Sequence, residues 1–320
     1  MRVREKVKCD FPEEFHSIFD EAITTYFEAA SKSGTSEQKI DETLCTFCDL
    51  VQKELHAPRQ FPLYHVKITS PFDYSTFFLD FMRPVIDFDR STLSGRSHLE
   101  AIRQHLCNQE NVVLFANHQI EPDPQVIRLM LERWDKSLAD EMIFVAGQRV
   151  TSDPLAIPFS LGCNLLCIYS KKYMEHPPEK KSEKQIHNKK TLRKLEELLR
   201  EGGKWIYVAP SGGRDRPDAA NRLTPAKPDP KSIEMFRLIA KNSSTRFYPL
   251  ALSTYALLPP PSSINTDLGE KRRFTYSPVE LHFGPELNLD TFPGSDASDR
   301  ITLRENRANH IWNALKALLS

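Results

Sequence analysis

"VVLFANHQIEPDPQV", residues 112–126, changes character twice. Val112 to Ala116 are apolar, with the branched and aromatic side chains of a buried strand. Asn117 to Asp123 form a mostly polar loop that holds His118 and, five positions on, Asp123 between Pro122 and Pro124. From Pro124 a helical pattern runs to residue 135, and a proline at a first helical turn loses no hydrogen bond that the helix needs. Strand, polar loop, helix is the unit from which α/β sheets are built.

The same unit recurs downstream. "MIFVA" (142–146) precedes a short helix, and "NLLCIY" (164–169) precedes a helix over 189–201. Gly202 and Gly203 suit that helix's C-terminus, and "WIYVA" (205–209) follows them. A helix over 231–241 and "FYPLAL" (247–252) continue the alternation. The spacing predicts an α/β fold, a central sheet covered by helices. Upstream the rhythm is purely helical. Phe15, Ile18, Phe19, Ile23, Tyr26 and Phe27 form one stripe, opened by Asp10 and Glu13 as a capping box. Ile40, Leu44, Cys48, Val51 and Leu55 form a second, opened by Thr35 and Gln38. "HAPRQFP" (56–62) breaks the pattern, which divides the chain into a small all-helical N-terminal domain (1–58) and an α/β domain (59–320).

Composition narrows the function. The chain has 320 residues, 43 basic against 43 acidic, so its overall field favours no polyanion and nucleic-acid binding is not expected. Six cysteines in so long a chain do not make a disulfide scaffold. Cys45 and Cys48 form a CxxC without a second pair, and their helical spacing favours a packing role over metal or redox chemistry. No metal-ligand set is visible. Two uncharged runs, 154–170 and 247–266, are too short or too broken by proline for membrane spans and read as buried elements. The N-terminus has no apolar core of a secretory signal and soon turns acidic. A cytoplasmic location is expected, or the plastid stroma if a transit peptide has been removed.

Three polar loops leave strand ends, where α/β sheets bind ligands. In the first, an imidazole is the best base near neutral pH, and a carboxylate on its other nitrogen fixes the tautomer. The flanking prolines stiffen the backbone that holds His118 and Asp123. The plain alternative is that Asp123 caps the helix and His118 is a polar loop residue. In "APSGGRDRP" (209–217), Gly212 and Gly213 let backbone approach a ligand, and Arg214 and Arg216 offer two guanidinium forks matched to phosphate. Read alone, this is also an ordinary surface turn. Lys171 and Lys172 follow "NLLCIY" and equally suit a strand's exit into water. "KKSEKQIHNKKTLRK" (180–194) can dock an acidic partner, or be a solvated mobile loop running into a helix face.

Taken together, these stretches resemble the glycerolipid acyltransferase superfamily. "NHQIEPD" is similar to its N-H-x4-D signature, and "GQRVTSDPLAIPFSLGCN" stands in the second block. "APSGGRDRP" occupies the phosphate-binding block and "FYPLALSTYALLPPPS" the fourth. "YSKK", "APSGGRDRP" and "ALLPPPS" look like the soluble plastid and bacterial glycerol-3-phosphate 1-O-acyltransferases. The resemblance covers roughly residues 60–290. It implies His118 and Asp123 as the catalytic pair, with Lys172, Arg214 and Arg216, together with Tyr173, Gly212 and Gly213, around the glycerol phosphate. Tyr173 departs from the plant pattern, which has histidine there; a tyrosine can donate a hydrogen bond but brings no positive charge. The resemblance further implies an acyl-carrier-protein or coenzyme A thioester as co-substrate and no other cofactor. Segment 180–194 would dock the carrier protein, and product release would need at most transient membrane contact.

On that basis His118 takes the proton of the acceptor's 1-hydroxyl as it attacks the thioester, and the cations position the phosphate. Three rivals stand beside this. One is a lysophosphatidate acyltransferase. Another is a serine hydrolase using Ser211, although "APSGG" lacks the first glycine of the G-x-S-x-G elbow. The last is an inactive carrier-protein-binding module.

Overall fold

The computed structural model describes residues 1–170, 174–175, 177–261 and 271–320. Among these, eight strands form one sheet: β1 (Tyr64–His65), β2 (Thr92–Ser94), β3 (Asn111–Ala116), β4 (Ile143–Gly147), β5 (Asn164–Ile168), β6 (Trp205–Val208), β7 (Thr245–Ser253) and β8 (Glu280–Phe283). Their order is β1-β5-β4-β6-β3-β7-β8-β2. The five strands read from the sequence make its parallel centre, β5-β4-β6-β3-β7. The outer strands close the edges: β1 runs antiparallel to β5, β8 antiparallel to β7, and β2 parallel to β8.

The sheet is covered on both faces because its strands alternate between two cores. On β3, Val112, Leu114 and Ala116 join one buried cluster while Val113 and Phe115 join the other. The first face packs against helices α1 (Arg2–Asp10), α2 (Glu13–Lys32), α3 (Glu37–His56), α4 (Tyr74–Met82), α5 (Arg96–Cys107), α6 (Asp123–Glu132) and α8 (Ile157–Leu161). The second packs against α9 (Lys181–Glu201), α10 (Pro230–Ile239) and α11 (Arg300–Leu318). A short α7 (Lys136–Glu141) leads from α6 into β4. The α/β expectation holds. The three N-terminal helices are not held apart from the sheet, since Phe19, Ile23, Leu44 and Val51 belong to the same buried cluster as Leu114 and Phe144. Gly95 sits at the hinge between β2 and α5 with φ +78°, where a Cβ would lie 2.0 Å from the Phe283 carbonyl oxygen. Only glycine fits that turn.

Several local expectations are corrected. Residues 2–10 are helical, and Asp10 ends that helix, taking the Lys6 ammonium at 2.7 Å, instead of capping the next one. Helix α2 begins after Pro12 with no side-chain cap, because the proline already fixes the entering φ. Helix α3 is capped by Ser36, not Thr35: the Ser36 hydroxyl accepts the Lys39 N–H. The helix expected over 124–135 ends at Glu132, with a separate α7 following from Lys136, and the one expected over 189–201 starts eight residues earlier, at Lys181. The basic segment is therefore a helix, not a mobile loop. Its Lys184 is buried with Nζ 5.4 Å from the centre of the Tyr169 ring, while Lys189, Lys190 and Arg193 are exposed.

Cys45 and Cys48 are free thiols on consecutive turns of α3. Burial pushes both upward, Cys48 to about 12, so neither offers a ready thiolate. Among the described residues no helix is long and apolar enough to cross a membrane. Run 154–170 contains α8 and β5; most of 247–261 belongs to β7 and the turn after it, and 262–266 lie outside the described residues.

Candidate active site

The loop after β3 is held by one carboxylate. Asp123 is fully buried, and its Oδ2 accepts the backbone N–H of Gln119 (2.8 Å) and of Ile120 (3.2 Å) as well as facing His118 Nδ1 at 2.8 Å. Its other oxygen accepts the Thr254 hydroxyl at 2.6 Å, from beyond the end of β7. Asp123 is thus no helix cap. It is the first residue of α6, whose N-terminus has no side-chain cap, and its bonds reach backwards into the loop. An acceptor on Nδ1 makes that nitrogen the protonated one in the neutral ring, which leaves Nε2 with its lone pair. His118 keeps about a quarter of its side chain exposed, at the edge of a large cavity.

Neighbouring side chains fix this loop to the strands on either side. The Asn117 amide donates to Asp215 Oδ2 (2.7 Å) and to the Leu252 carbonyl (2.9 Å), and accepts the Leu252 N–H (2.7 Å). Gln119 Oε1 accepts the N–H groups of Thr254 and Tyr255. The Asp215 N–H donates to the His118 carbonyl at 2.6 Å, so the loop after β6 is bonded directly to the loop after β3. Asp215 is itself fully buried. Burial raises its carboxyl, opposed by hydrogen bonds from the Ala226 N–H, Asn117 and Gln119. Of the three strand-end loops expected to meet, those after β3 and β6 do so through these bonds, and Lys171 and Lys172 of the third lie outside the described residues.

Three guanidiniums gather on one carboxylate that is largely but not fully buried. Glu121, two residues before Asp123, has Arg272 Nη2 2.6 Å from Oε2, with Arg214 Nη1 at 3.4 Å and Arg149 Nε at 4.0 Å from Oε1. Burial pushes the Glu121 carboxyl up, and the charges of Arg272, Arg214 and Arg149 together outweigh it, so it is held below its ordinary value. Buried Asp153 lies 3.9 Å from Arg272; burial dominates there, and its carboxyl is raised. Arg216 Nη1 donates to the Pro261 carbonyl at 2.6 Å. Gly212 has φ +69°, and neither Gly212 nor Gly213 has any atom within 4 Å of where a Cβ would stand, so their backbone borders open space.

Several of these groups border one cavity of about 790 Å³. His118, Glu121, Arg149, Arg214, Arg216 and Arg272 line its polar part. Away from them the walls are apolar, from Ile18, Ile23, Leu44 and Phe47 of the N-terminal helices to Phe144 and Phe159, and on the other face Leu192, Leu195 and Met235. An anionic head and an apolar tail can therefore be bound together, with a base between them. Ser211 also lines the cavity, but its hydroxyl donates to the Gly213 carbonyl at 3.0 Å. Its proton is thereby given to a backbone carbonyl, whereas a serine nucleophile gives it to a histidine.

Of the residues singled out in the sequence, His118, Asp123, Gly212, Gly213, Arg214 and Arg216 come together. Lys171, Lys172 and Tyr173 lie outside the described residues. Sequence reasoning missed Asn117, Glu121, Arg149, Asp215, Thr254 and Arg272. Arg149 had a signal: "GQRV" leaves the strand end of "MIFVA" just as the other polar loops leave theirs. Arg272 had none, being the middle of a Lys271-Arg272-Arg273 run far along the chain, outside the strand–loop–helix units read there. Among the described residues no three His, Cys, Asp or Glu side chains gather as metal ligands.

A histidine–carboxylate pair thus stands between an arginine-lined mouth and an apolar chamber. Residues 92–253, a little over half of the chain, match the family model described as Acyltransferase, and the chain belongs to that family. It is similar to "Glycerol-3-phosphate acyltransferase, chloroplastic" of Spinacia oleracea, 35% identical over 305 residues, which cover 92% of this chain and 65% of the relative. It is likewise similar to "Glycerol-3-phosphate acyltransferase ATS12, chloroplastic" of Cucurbita moschata, at 37% over 276 residues (85% and 60%). "Glycerol-3-phosphate acyltransferase, chloroplastic" of Arabidopsis thaliana is 35% identical over 275 residues (84% and 60%). The chain thus spans about 60–65% of the length of these curated relatives. Against the crystal structure of the 1-acyl-sn-glycerophosphate (LPA) acyltransferase of Thermotoga maritima it has 14% identity and a TM-score of 0.39, covering 93% of this chain and 96% of that one.

Proposed function

We propose that this protein transfers a fatty acyl group from a thioester to the 1-hydroxyl of sn-glycerol 3-phosphate, giving lysophosphatidate. The observation that carries the reading is the placement of His118, oriented by Asp123 at 2.8 Å, where the arginine-lined mouth meets the apolar chamber. The relatives' names supply the acceptor. His118 Nε2 takes the hydroxyl proton as the oxygen attacks the thioester carbonyl. The tetrahedral intermediate collapses with loss of the thiolate, which takes the proton back from the imidazolium. One ester forms, one thioester breaks, and a free thiol leaves. General-base assistance of this kind contributes ~10²–10⁴-fold, and the remaining acceleration comes from holding the two substrates in line.

Arg214 and Arg216, with Lys172 and Tyr173, position the phosphate, and the apolar chamber takes the acyl chain. The thioester brings its own activation, so the reaction asks for no further cofactor. The donor is an acyl carrier protein, supported by the exposed Lys189, Lys190 and Arg193 on α9, whose buried residues pack beside β5. The relatives' names place those proteins in the chloroplast; the same reading puts this chain in the plastid stroma, or in the cytoplasm of a bacterium.

The test is to incubate purified protein with glycerol 3-phosphate and an acyl thioester, and to measure thiol release and lipid product together. One 1-acyl lysophosphatidate per thiol is the expected result. Free fatty acid without lysophosphatidate would replace the reading with a hydrolase, and acylation of lysophosphatidate in preference to glycerol 3-phosphate would replace it with the later transferase.

A further inference from the structure

The two oxygens of Asp123 are held from different parts of the chain. Oδ2 faces three donors of its own loop: the His118 ring and the backbone N–H groups of Gln119 and Ile120. Oδ1 accepts the hydroxyl of Thr254, the residue after β7, at 2.6 Å, and among the described residues that is its one donor. Thr254 is buried, and its branched side chain is stiff about χ1. Its backbone N–H is itself locked on Gln119 Oε1 at 2.6 Å. Since the Gln119 backbone N–H donates to Asp123, these bonds close a ring through Gln119, Thr254 and Asp123 that ties the end of β7 to the loop of His118.

We propose that Thr254 is a positioning residue for the base: by holding Oδ1 it keeps Asp123 charged and aimed at His118 Nδ1. This deepens the proposed function and rests on it for the reaction that His118 assists. Two physical reasons support the role. A fully buried carboxylate keeps its charge only where hydrogen bonds replace water, and without Thr254 one of its oxygens would face the interior bare. The torsion that turns a carboxylate is broad and roughly two-fold, so bonds to both oxygens, not the torsion, fix its plane. Among the described residues the His118 ring is the only ion-pair partner of Asp123. The charge that Thr254 preserves is therefore the one that balances the imidazolium formed when Nε2 takes the acceptor's proton. The Thr254 hydroxyl donates a hydrogen bond and transfers nothing. Thr254 is not part of the cavity wall, so it acts through Asp123 and touches no substrate.

The experiment places Thr254→Val and Thr254→Ser in wild type and in His118→Ala, and measures turnover of glycerol 3-phosphate with an acyl thioester. Valine keeps the shape and removes the hydroxyl. In the wild-type background it is expected to lower kcat about ten- to hundredfold, the order of one hydrogen bond to a charged group, with both KM values within about threefold. Serine keeps the donor on a looser side chain and should restore most of the loss. In the His118→Ala background the valine should cost less than about twofold, because two residues that act through one group are not additive. A merely structural role would cost the same factor in both. Thr254→Ala stands in if the valine variant does not fold. Nitrogen-15 NMR of labelled histidine accompanies the kinetics: the His118 ring should be the Nδ1-protonated tautomer in wild type and lose that preference in Thr254→Val.

An unchanged kcat in Thr254→Val, an equal loss in the two backgrounds, or a serine variant no better than the valine overturns the role of Thr254 while leaving the acyltransferase reading in place. A wild-type protein that does not acylate glycerol 3-phosphate overturns that reading instead. The tautomer of His118 then decides the role of Thr254 without turnover: a change on going to valine upholds it, and identical spectra overturn it.

Discussion

Asn117 clasps Leu252 by both backbone groups: its amide nitrogen donates to the Leu252 carbonyl at 2.9 Å, and its amide oxygen accepts the Leu252 N–H at 2.7 Å. One side chain thereby extends the β3–β7 ladder by a rung past Ala116↔Leu250. It also donates to Asp215, tying three strand ends together one residue before His118. An asparagine can satisfy all three bonds because its amide has both donors and acceptors.

Replacing Asn117 tests that role. Asn117→Ala strands two backbone groups and a carboxylate in the interior and is expected to destabilise the fold by about 2–4 kcal/mol, given ~1–3 kcal/mol per buried group left unbonded. Asn117→Asp should be worse, since it sets a second buried carboxylate against Asp215. Thermal melts of both variants against wild type check the order; an aspartate variant as stable as wild type would contradict the bonding described.

Gly213 separates ligand approach from backbone constraint. A Cβ there meets no protein atom within 4 Å and its φ is not positive, so Gly213→Ala should fold and melt like wild type. On the proposed reading the methyl group would enter the acceptor's space, and the expected outcome is a several-fold rise in acceptor KM. Gly212→Ala differs: at φ +69° an alanine is strained by about 1–2 kcal/mol, so stability should drop too. Steady-state kinetics beside melting curves distinguish the two.

Charge reversal on α9 bears on the donor. Lys189→Glu, Lys190→Glu, Arg193→Glu and Lys194→Glu, combined, should raise the KM for an acyl-carrier-protein donor by tenfold or more and leave an acyl-coenzyme A donor within about threefold. The difference should shrink as salt is raised, because surface charges are screened over ~8–10 Å at ordinary ionic strength. Equal losses with both donors would remove α9 from docking.

Far from the cavity, at the opposite end of β3, Glu110 predicts an acid transition. Hydrogen bonds from Ser244, His105 and Arg246 hold its carboxyl down at about 2, against an ordinary 4.5. A carboxyl depressed in the fold stabilises it fully above the unfolded value and loses that contribution as pH falls from about 4.5 towards 2. Glu110→Gln should therefore melt lower than wild type at neutral pH and lose less stability on acidification over that window. Parallel slopes for the two proteins would show that these bonds contribute nothing net.

The central sheet was legible because its five parallel strands are buried on both faces and read as short apolar runs after turn signals. Strands β1, β2 and β8 were not, since two to four residues at a sheet edge show no periodicity. Helix α1 was hidden by its charge: only Val3 and Val7 are buried along it. In the site, His118, Asp123 and the two arginines of "SGGRDRP" stood out as reactive types in loops at strand ends. What stayed hidden was long-range. Nothing local tells that Glu121 will face Arg272, or that Thr254 will reach Asp123, because those pairs exist only once β3 and β7 lie side by side.

The most direct measurement is the single-turnover rate of lysophosphatidate formation by wild type and by His118→Ala, with glycerol 3-phosphate binding measured on the same preparations. The account predicts a rate ~10²–10⁴-fold lower in the variant, with acceptor affinity within a few-fold and an unchanged melting temperature. A variant that forms lysophosphatidate at close to the wild-type rate would remove His118 from the chemistry and contradict the account at its centre.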